Sequence, residues 1–172
     1  SKNTTTSSSG TIASGSSNAT CSAARTATVT YTVTDVKSGY TFVGWYDGTT
    51  QKSTNTTYTY NATAAKTITA RFKAKTYTVT LDNQGATTAG ATSVTATYNA
   101  AMPSIANNLP KKTGYTFNGY FDAESGGNQY YNANGTSARP WNKTSNTTLY
   151  AQWTITDYNI TYENLNGVTH TN

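Results

Sequence analysis

Seven side-chain carboxylates, one histidine and one cysteine are all that this 172-residue chain has of the groups that most often anchor acid-base, thiol or metal sites. The acids are Asp35, Asp47, Asp82, Asp122, Glu124, Asp157 and Glu163. Cleaving a glycosidic bond takes two carboxyl groups facing across a sugar, and Asp122 with Glu124 is the one pair close in sequence. That pair ends an alternating segment before a glycine-rich tip, where a solvated turn is the expected role. His170 stands two residues from the end, with no Ser-His or Cys-His arrangement about it and no cluster at zinc-ligand spacing. "DNQG", Asp82 to Gly85, has oxygen ligands and a glycine but lacks the further acids of a calcium loop, so it reads as a turn. A Lys-Asn or Thr-Gln crosslink has many candidate partners, few acids to catalyse it, and no pair that sequence singles out. The chain is therefore expected to be non-enzymatic, with no catalytic residue, metal or cofactor.

Binding chemistry is better supplied. Exposed rings stack on sugar faces, and Trp45, Tyr46, Tyr130, Tyr131 and Trp141 are the candidates for such a platform. The competing reading is that these rings are core, because Leu, Ile and Met are scarce while Tyr numbers 14, Phe 4 and Trp 3. A net charge of +5 and a pI near 9.2 raise the question of nucleic acid. The basic residues are scattered, in small groups such as Arg71, Lys73 and Lys75 or Lys111 and Lys112, without the dense stripe that tracks phosphates, so no nucleic acid is expected. Anionic glycans of a cell wall or host surface remain possible partners through long-range attraction. Cys21, alone in "SNATCSAAR", excludes an intrachain disulfide and reads as an incidental linker thiol. No apolar run reaches the length of a signal peptide or a membrane span. The Asn-x-Ser/Thr matches, among them Asn61 and Asn146, follow from the Thr-rich composition.

The elements that would carry these residues are strands. Thr and Tyr fit a pleated, half-buried surface, and no window offers the 3.6-residue apolar spacing of a long amphipathic helix. Residues 1–24 are Ser/Thr/Gly-rich with almost nothing to bury and read as a linker or an exchanged N-terminal segment. Alternation begins at Thr26, with Val29, Tyr31 and Val33 on one parity. Four short strands are expected over 25–74, ending with "TITARF", 67–72. A second set runs through "YTVTL", 77–81, "SVTATY", 93–98, "GYTFNGYFD" and "TTLYAQW", 147–153, with one short helical turn expected near Ser104 to Asn108. "GYTF" at Gly39 returns at Gly114, a spacing of 75 positions, and "TITARF" returns as "TLYAQW" at 148, a spacing of 81. "YTVTL" at Tyr77 is matched again by "YNITY" at Tyr158. Matching strands in one order at domain-sized spacing are tandem modules. The glycines inside the repeated strand, Gly44 and Gly119, call for a bulge or a close neighbour, expected to be a large ring.

At these motifs the chain resembles the Listeria-Bacteroides repeats, or internalin B-type B-repeats, of bacterial surface proteins. Residues 75–154 resemble one complete repeat, carried by "YTVTLDNQGA", "GYTFNGYFD" and "TTLYAQW", and residues 25–74 a shorter divergent one with "GYTFVGWYD". The family's usual Trp is kept as Trp45 and replaced by Tyr120 in the second copy. The resemblance implies a mainly β chain of small α+β, β-grasp-like modules with very little helix, borne on an exported or wall-attached protein at the bacterial cell surface. It implies spacer and interaction roles, with neighbouring repeats, other copies of the chain, or host and cell-wall glycans or proteins as partners, and no catalytic residues. Residues 155–172 resemble the start of a further repeat, whose apolar positions Tyr158, Ile160 and Tyr162 are candidates for strand exchange with another copy. A self-assembling fibre subunit and a glycan-binding adhesin therefore stand beside the spacer reading.

Overall fold

The computed structural model describes residues 6–9, 17–21, 27–64 and 66–158. All regular structure among them is strand: β1 (Thr6–Ser9), β2 (Ser17–Cys21), β3 (Ala27–Thr32), β4 (Tyr40–Asp47), β5 (Thr50–Ser53), β6 (Thr57–Ala62), β7 (Lys66–Ala74), β8 (Thr76–Asp82), β9 (Ser93–Thr97), β10 (Tyr115–Phe121), β11 (Gln129–Asn132) and β12 (Thr147–Ile155). The chain is mainly β and forms two repeat modules, β1–β7 and β8–β12.

Module two is one five-stranded sheet in the order β11-β10-β12-β8-β9. The central pair β12 and β8 is parallel and every other pair is antiparallel. Alternation along β8 and β12 sends Val79, Leu81, Leu149 and Ala151 to the same buried face, as a half-buried strand requires. A parallel pair needs a long crossover, and that crossover brings the cover for the sheet. Residues 98–114 supply it without a helix. Met102 and Ile105 are buried in the core, Met102 N–H donates to Ser137 Oγ at 2.9 Å, and Ile105 N–H donates to the Gly135 carbonyl at 3.0 Å. The helical turn expected near Ser104 to Asn108 is a single turn closed by Asn108 N–H to the Ile105 carbonyl at 2.9 Å. Prolines at 103 and 110 leave no room for more.

Module one repeats this plan with its sheet opened. The counterparts of the parallel pair are β7 and β3, yet β2 lies antiparallel on β7 and β1 lies parallel on β3. Two sheets result, β1-β3-β6 and β2-β7-β4-β5, rather than the single four-stranded sheet expected. Both still close one core, in which Val29, Tyr31 and Val33 of the first meet Trp45, Ile68 and Ala70 of the second. Two stretches of the segment expected as a linker are thus strands of module one. "TSSS" and "SNATC" carry no apolar alternation, so only backbone pairing marks them.

The repeated glycine sits at a bulge in each module, between Phe42 and Gly44 and between Phe117 and Gly119. Its neighbour is a glutamine and a carbonyl, not a ring. Gln51 Nε2 donates to the Val43 carbonyl at 3.0 Å and Gln129 Nε2 donates to the Asn118 carbonyl at 3.0 Å. A Cβ on Gly44 would lie 2.6 Å from Gln51 Nε2, and one on Gly119 would lie 2.7 Å from Gln129 Nε2. Glycine therefore makes room for a side-chain amide that ties β5 to β4 and β11 to β10.

Candidate functional site

Four of the five rings expected to form a sugar platform are core. Trp45 is 1% exposed, packed 5.5 Å from both Tyr31 and Phe42, and its Nε1–H donates to the Asn55 carbonyl at 3.0 Å. Trp141 and Tyr131 are 0% exposed and Tyr130 1%. Tyr130 lies 5.3 Å from Trp141 and donates its hydroxyl to Asn142 Oδ1 at 2.6 Å; Tyr131 donates to the Pro103 carbonyl at 2.8 Å. Tyr46 is half-buried, with the Arg71 guanidinium 4.1 Å from its ring centroid. Rings with no exposed face offer nothing for a sugar to stack on, so the expected platform is not assembled. A tyrosine fills the core with its body while its hydroxyl finds a partner at the margin, which is how modules short of Leu and Ile build an interior.

The indoles make a test of this placement. Trp141 Nε1–H is buried without a hydrogen-bond partner among the described residues, whereas Trp45 Nε1–H is paired. Trp45→Phe is expected to cost about 1 kcal/mol more than Trp141→Phe, the net worth of one hydrogen bond. Urea unfolding of both variants checks this, and the reverse order would refute the two placements.

Three of the acids, Asp122, Asp47 and Asp82, have structural partners. Asp122 Oδ2 pairs with Lys143 Nζ at 3.0 Å, and its Oδ1 accepts the Asn128 backbone N–H at 2.7 Å, pinning the glycine-rich tip. Burial pushes the Asp122 carboxyl up, but the Asn128 and Lys143 hydrogen bonds together outweigh it and hold the group below its ordinary value. The same bond to Asp122 raises Lys143 against its own desolvation. Both groups are thereby held charged, the opposite of the neutral pair that amide formation between a lysine and an adjacent carboxyl or carboxamide requires. Asp47, the counterpart of Asp122, pairs in the same way with Lys66 at 2.6 Å. Asp82 Oδ1 accepts Gln84 N–H at 2.8 Å, so "DNQG" is a turn closed by its own aspartate. Asn83 beside it is a polar staple that sequence missed: Tyr120 donates its hydroxyl to Asn83 Oδ1 at 2.6 Å, and Gly90 N–H reaches the same atom at 3.3 Å. Among the described residues no three His, Cys, Asp or Glu converge as a metal set, and no helix is long and apolar enough to cross a membrane.

Two surface features remain. A groove of about 300 Å³ on module two is lined by Lys112, Tyr115, Glu124, Gln152 and Trp153 among others. Lys112 Nζ lies 4.7 Å from the Tyr115 centroid and 5.9 Å from that of Trp153, and donates to the Gln84 carbonyl at 3.2 Å. A second groove of about 410 Å³ lies where the modules meet, lined by Thr41, Val43, Lys73, Ala74, Lys75 and Thr76. Of the strand-exchange candidates, Tyr158 is 74% exposed, while Ile160 and Tyr162, like His170, lie outside the described residues.

Each module thus has a bulged "GYTF" strand, a closing strand paired to it and a strand-end aspartate paired with a lysine. The family model of the Listeria-Bacteroides repeat domain matches residues 6–71 and 77–152. Internalin H of Listeria monocytogenes is 37% identical over 123 residues, which is 70% of this chain and 20% of that protein. The chain thus spans about a fifth of the length of that curated relative. No solved structure matches it. The first match begins inside the Ser/Thr-rich segment, at the residue where β1 begins, and the second ends within β12. With both modules matched over most of their length, the chain belongs to the Listeria-Bacteroides repeat family.

Proposed function

We infer that this chain is a non-enzymatic extracellular repeat segment of a bacterial surface or secreted protein, serving as a spacer that sets the reach of whatever it carries. The observation that carries the reading is the junction. One residue, Lys75, separates β7 from β8. Its N–H donates to the Gly39 carbonyl at 2.8 Å and its carbonyl accepts Tyr98 N–H at 2.9 Å, so it is bonded to both modules. A linker with no slack passes length along an array, and reach then grows with repeat number. We read each module as β-grasp-like, with the usual helix replaced by the crossover loop, and neutral Thr and Asn faces as the source of solubility. Small-angle scattering on this chain and on two copies fused head to tail tests the spacer role. The maximum dimension should rise by a constant amount per module, and an unchanged dimension would refute the reading.

A fibre subunit is the second reading, and the opened sheet of module one favours it. The slot between β7 and β3 is filled by strands from the N-terminal segment, which is the geometry by which a strand from another copy adds to a sheet. Light scattering across a concentration series distinguishes the two. Growth into long species supports the fibre, and one monomer mass at every concentration removes it.

A further inference from the structure

The junction between the modules has a counterpart at the far end of module two, and there it is half built. At the junction, Lys75 N–H donates to the Gly39 carbonyl at 2.8 Å; at the far end, Thr156 N–H donates to the Gly114 carbonyl at 2.8 Å. The register agrees as well, Tyr40 opposite Ala74 and Tyr115 opposite Ile155. What differs is the cover. Tyr98, which follows the second strand of module two, packs edge to face on Tyr40 at 5.5 Å and 84°. Its ring also lies on Gly39, where a Cβ would come within 2.5 Å of it, and Gly39 is buried. Among the described residues nothing lies within 4 Å of the same position at Gly114, Tyr115 is 41% exposed and Ile155 64%. Tyr115, Ile155 and Tyr158 are also the large exposed apolar residues among those described. They cluster at one end.

We propose that Gly114, Tyr115 and Ile155 form a socket for the tyrosine that follows the second strand of a third repeat module joined in tandem. The occupant follows from the internal comparison. The same glycine-tyrosine pair is closed by Tyr98 at the one junction the chain contains, and residues 158–162, "YNITY", align with β8, the strand that leads towards Tyr98. Thr156 stands where Lys75 stands, so its carbonyl is placed to accept the next tyrosine's N–H as Lys75 accepts that of Tyr98. This deepens the spacer reading and rests on it: a socket at every module end couples neighbours and resists bending.

The test replaces residues 158–172 of the full chain by a second copy of 77–154, giving a third module. Tyr115→Ala should shift the thermal midpoint of the present chain by no more than about 4 °C, as for a substitution at the surface. In the three-module chain the same substitution should split a shared unfolding transition into separable steps, and Tyr115→Phe should keep it whole. Amide exchange at Gly114 and Tyr115 should slow on adding the third module. If the third module folds yet Tyr115→Ala leaves its unfolding unchanged, the socket is refuted while the spacer reading stands. If the present chain instead self-associates and Tyr115→Ala abolishes it, the occupant is a second copy and the tandem proposal fails. Scattering on the same three-module chain reports on the spacer role independently, because loss of the expected length increment is indifferent to Tyr115.

Discussion

Gly119→Ala is expected to destabilise module two by about 2–6 kcal/mol, enough to unfold it at ordinary temperature if its stability lies at the low end for a small domain. Two costs add. Gly119 has φ +128°, a conformation that side chains rarely adopt, worth about 1–3 kcal/mol of strain. The new Cβ would also overlap the Tyr131 carbonyl and lie 2.7 Å from Gln129 Nε2, for another 1–3 kcal/mol or so of overpacking. Relief by movement is blocked on both sides. The Tyr131 carbonyl belongs to β11 and accepts Gln129 Nε2 at 3.0 Å, and Gly119 is held between Asn132 and Gln152 in the ladder. Gly126→Ala is the control. Its φ is +66° and nothing among the described residues lies within 4 Å of the added Cβ, so it carries conformational cost without a clash. Urea midpoints of the two variants decide the matter, and a Gly119→Ala midpoint no lower than that of Gly126→Ala would remove the close-approach explanation.

That glycine also shows what the sequence makes legible and what it hides. Its recurrence in "GYTFVGWYD" and "GYTFNGYFD" marks a bulge or close contact in a repeated strand, and both modules have the bulge. The partner is not written nearby in any recognisable form. Gln51 and Gln129 lie seven and ten residues on, at different spacings, so only the folded hairpin brings them together. Alternation reveals strands that bury one face, such as β8 and β12. It fails where a strand buries both faces. In β11 the adjacent Tyr130 and Tyr131 are both buried, Tyr130 against Trp141 and Tyr131 against Tyr120. From sequence the pair looks like surface rings. β1 and β2 are missed for another reason, being marked as strands by backbone pairing in a composition without apolar alternation that reads as linker. The socket at Gly114 was invisible for a third reason: it is a difference between two copies, and identical letters at 39–42 and 114–117 conceal it.

Module two is expected to lose stability steeply above pH 10, because its core depends on two tyrosines that must stay neutral. Tyr120 and Tyr131 are both 0% exposed, with ring centroids 6.0 Å apart. Each spends its hydroxyl proton on a fixed acceptor, Asn83 Oδ1 at 2.6 Å and the Pro103 carbonyl at 2.8 Å. A phenolate at either site would turn a lone pair towards that acceptor and leave a charge out of water. Burial pushes Tyr131 from 10.0 up to about 12. Tyr120 moves in the same direction, first through burial and then through the charge of Asp82 and the neighbouring Tyr131. In the unfolded chain both would titrate from 10.0, so the contribution is fully present below pH 10 and is lost as pH rises towards the folded values. Over that window the unfolded chain releases protons that the folded chain retains. For Tyr131 the shift corresponds to about 3 kcal/mol, and Tyr120 adds to it with the same sign. The Lys143–Asp122 ion pair of module two does not set the limit in this range, because its hydrogen bond raises the lysine above its ordinary value. Phenolate absorbance should therefore rise cooperatively with loss of the β signal in circular dichroism. A variant carrying Tyr120→Phe and Tyr131→Phe should hold its fold to higher pH while being less stable at pH 7, since Asn83 Oδ1 loses its strongest donor. An unchanged alkaline midpoint in that variant would mean that something other than these two hydroxyls sets the limit.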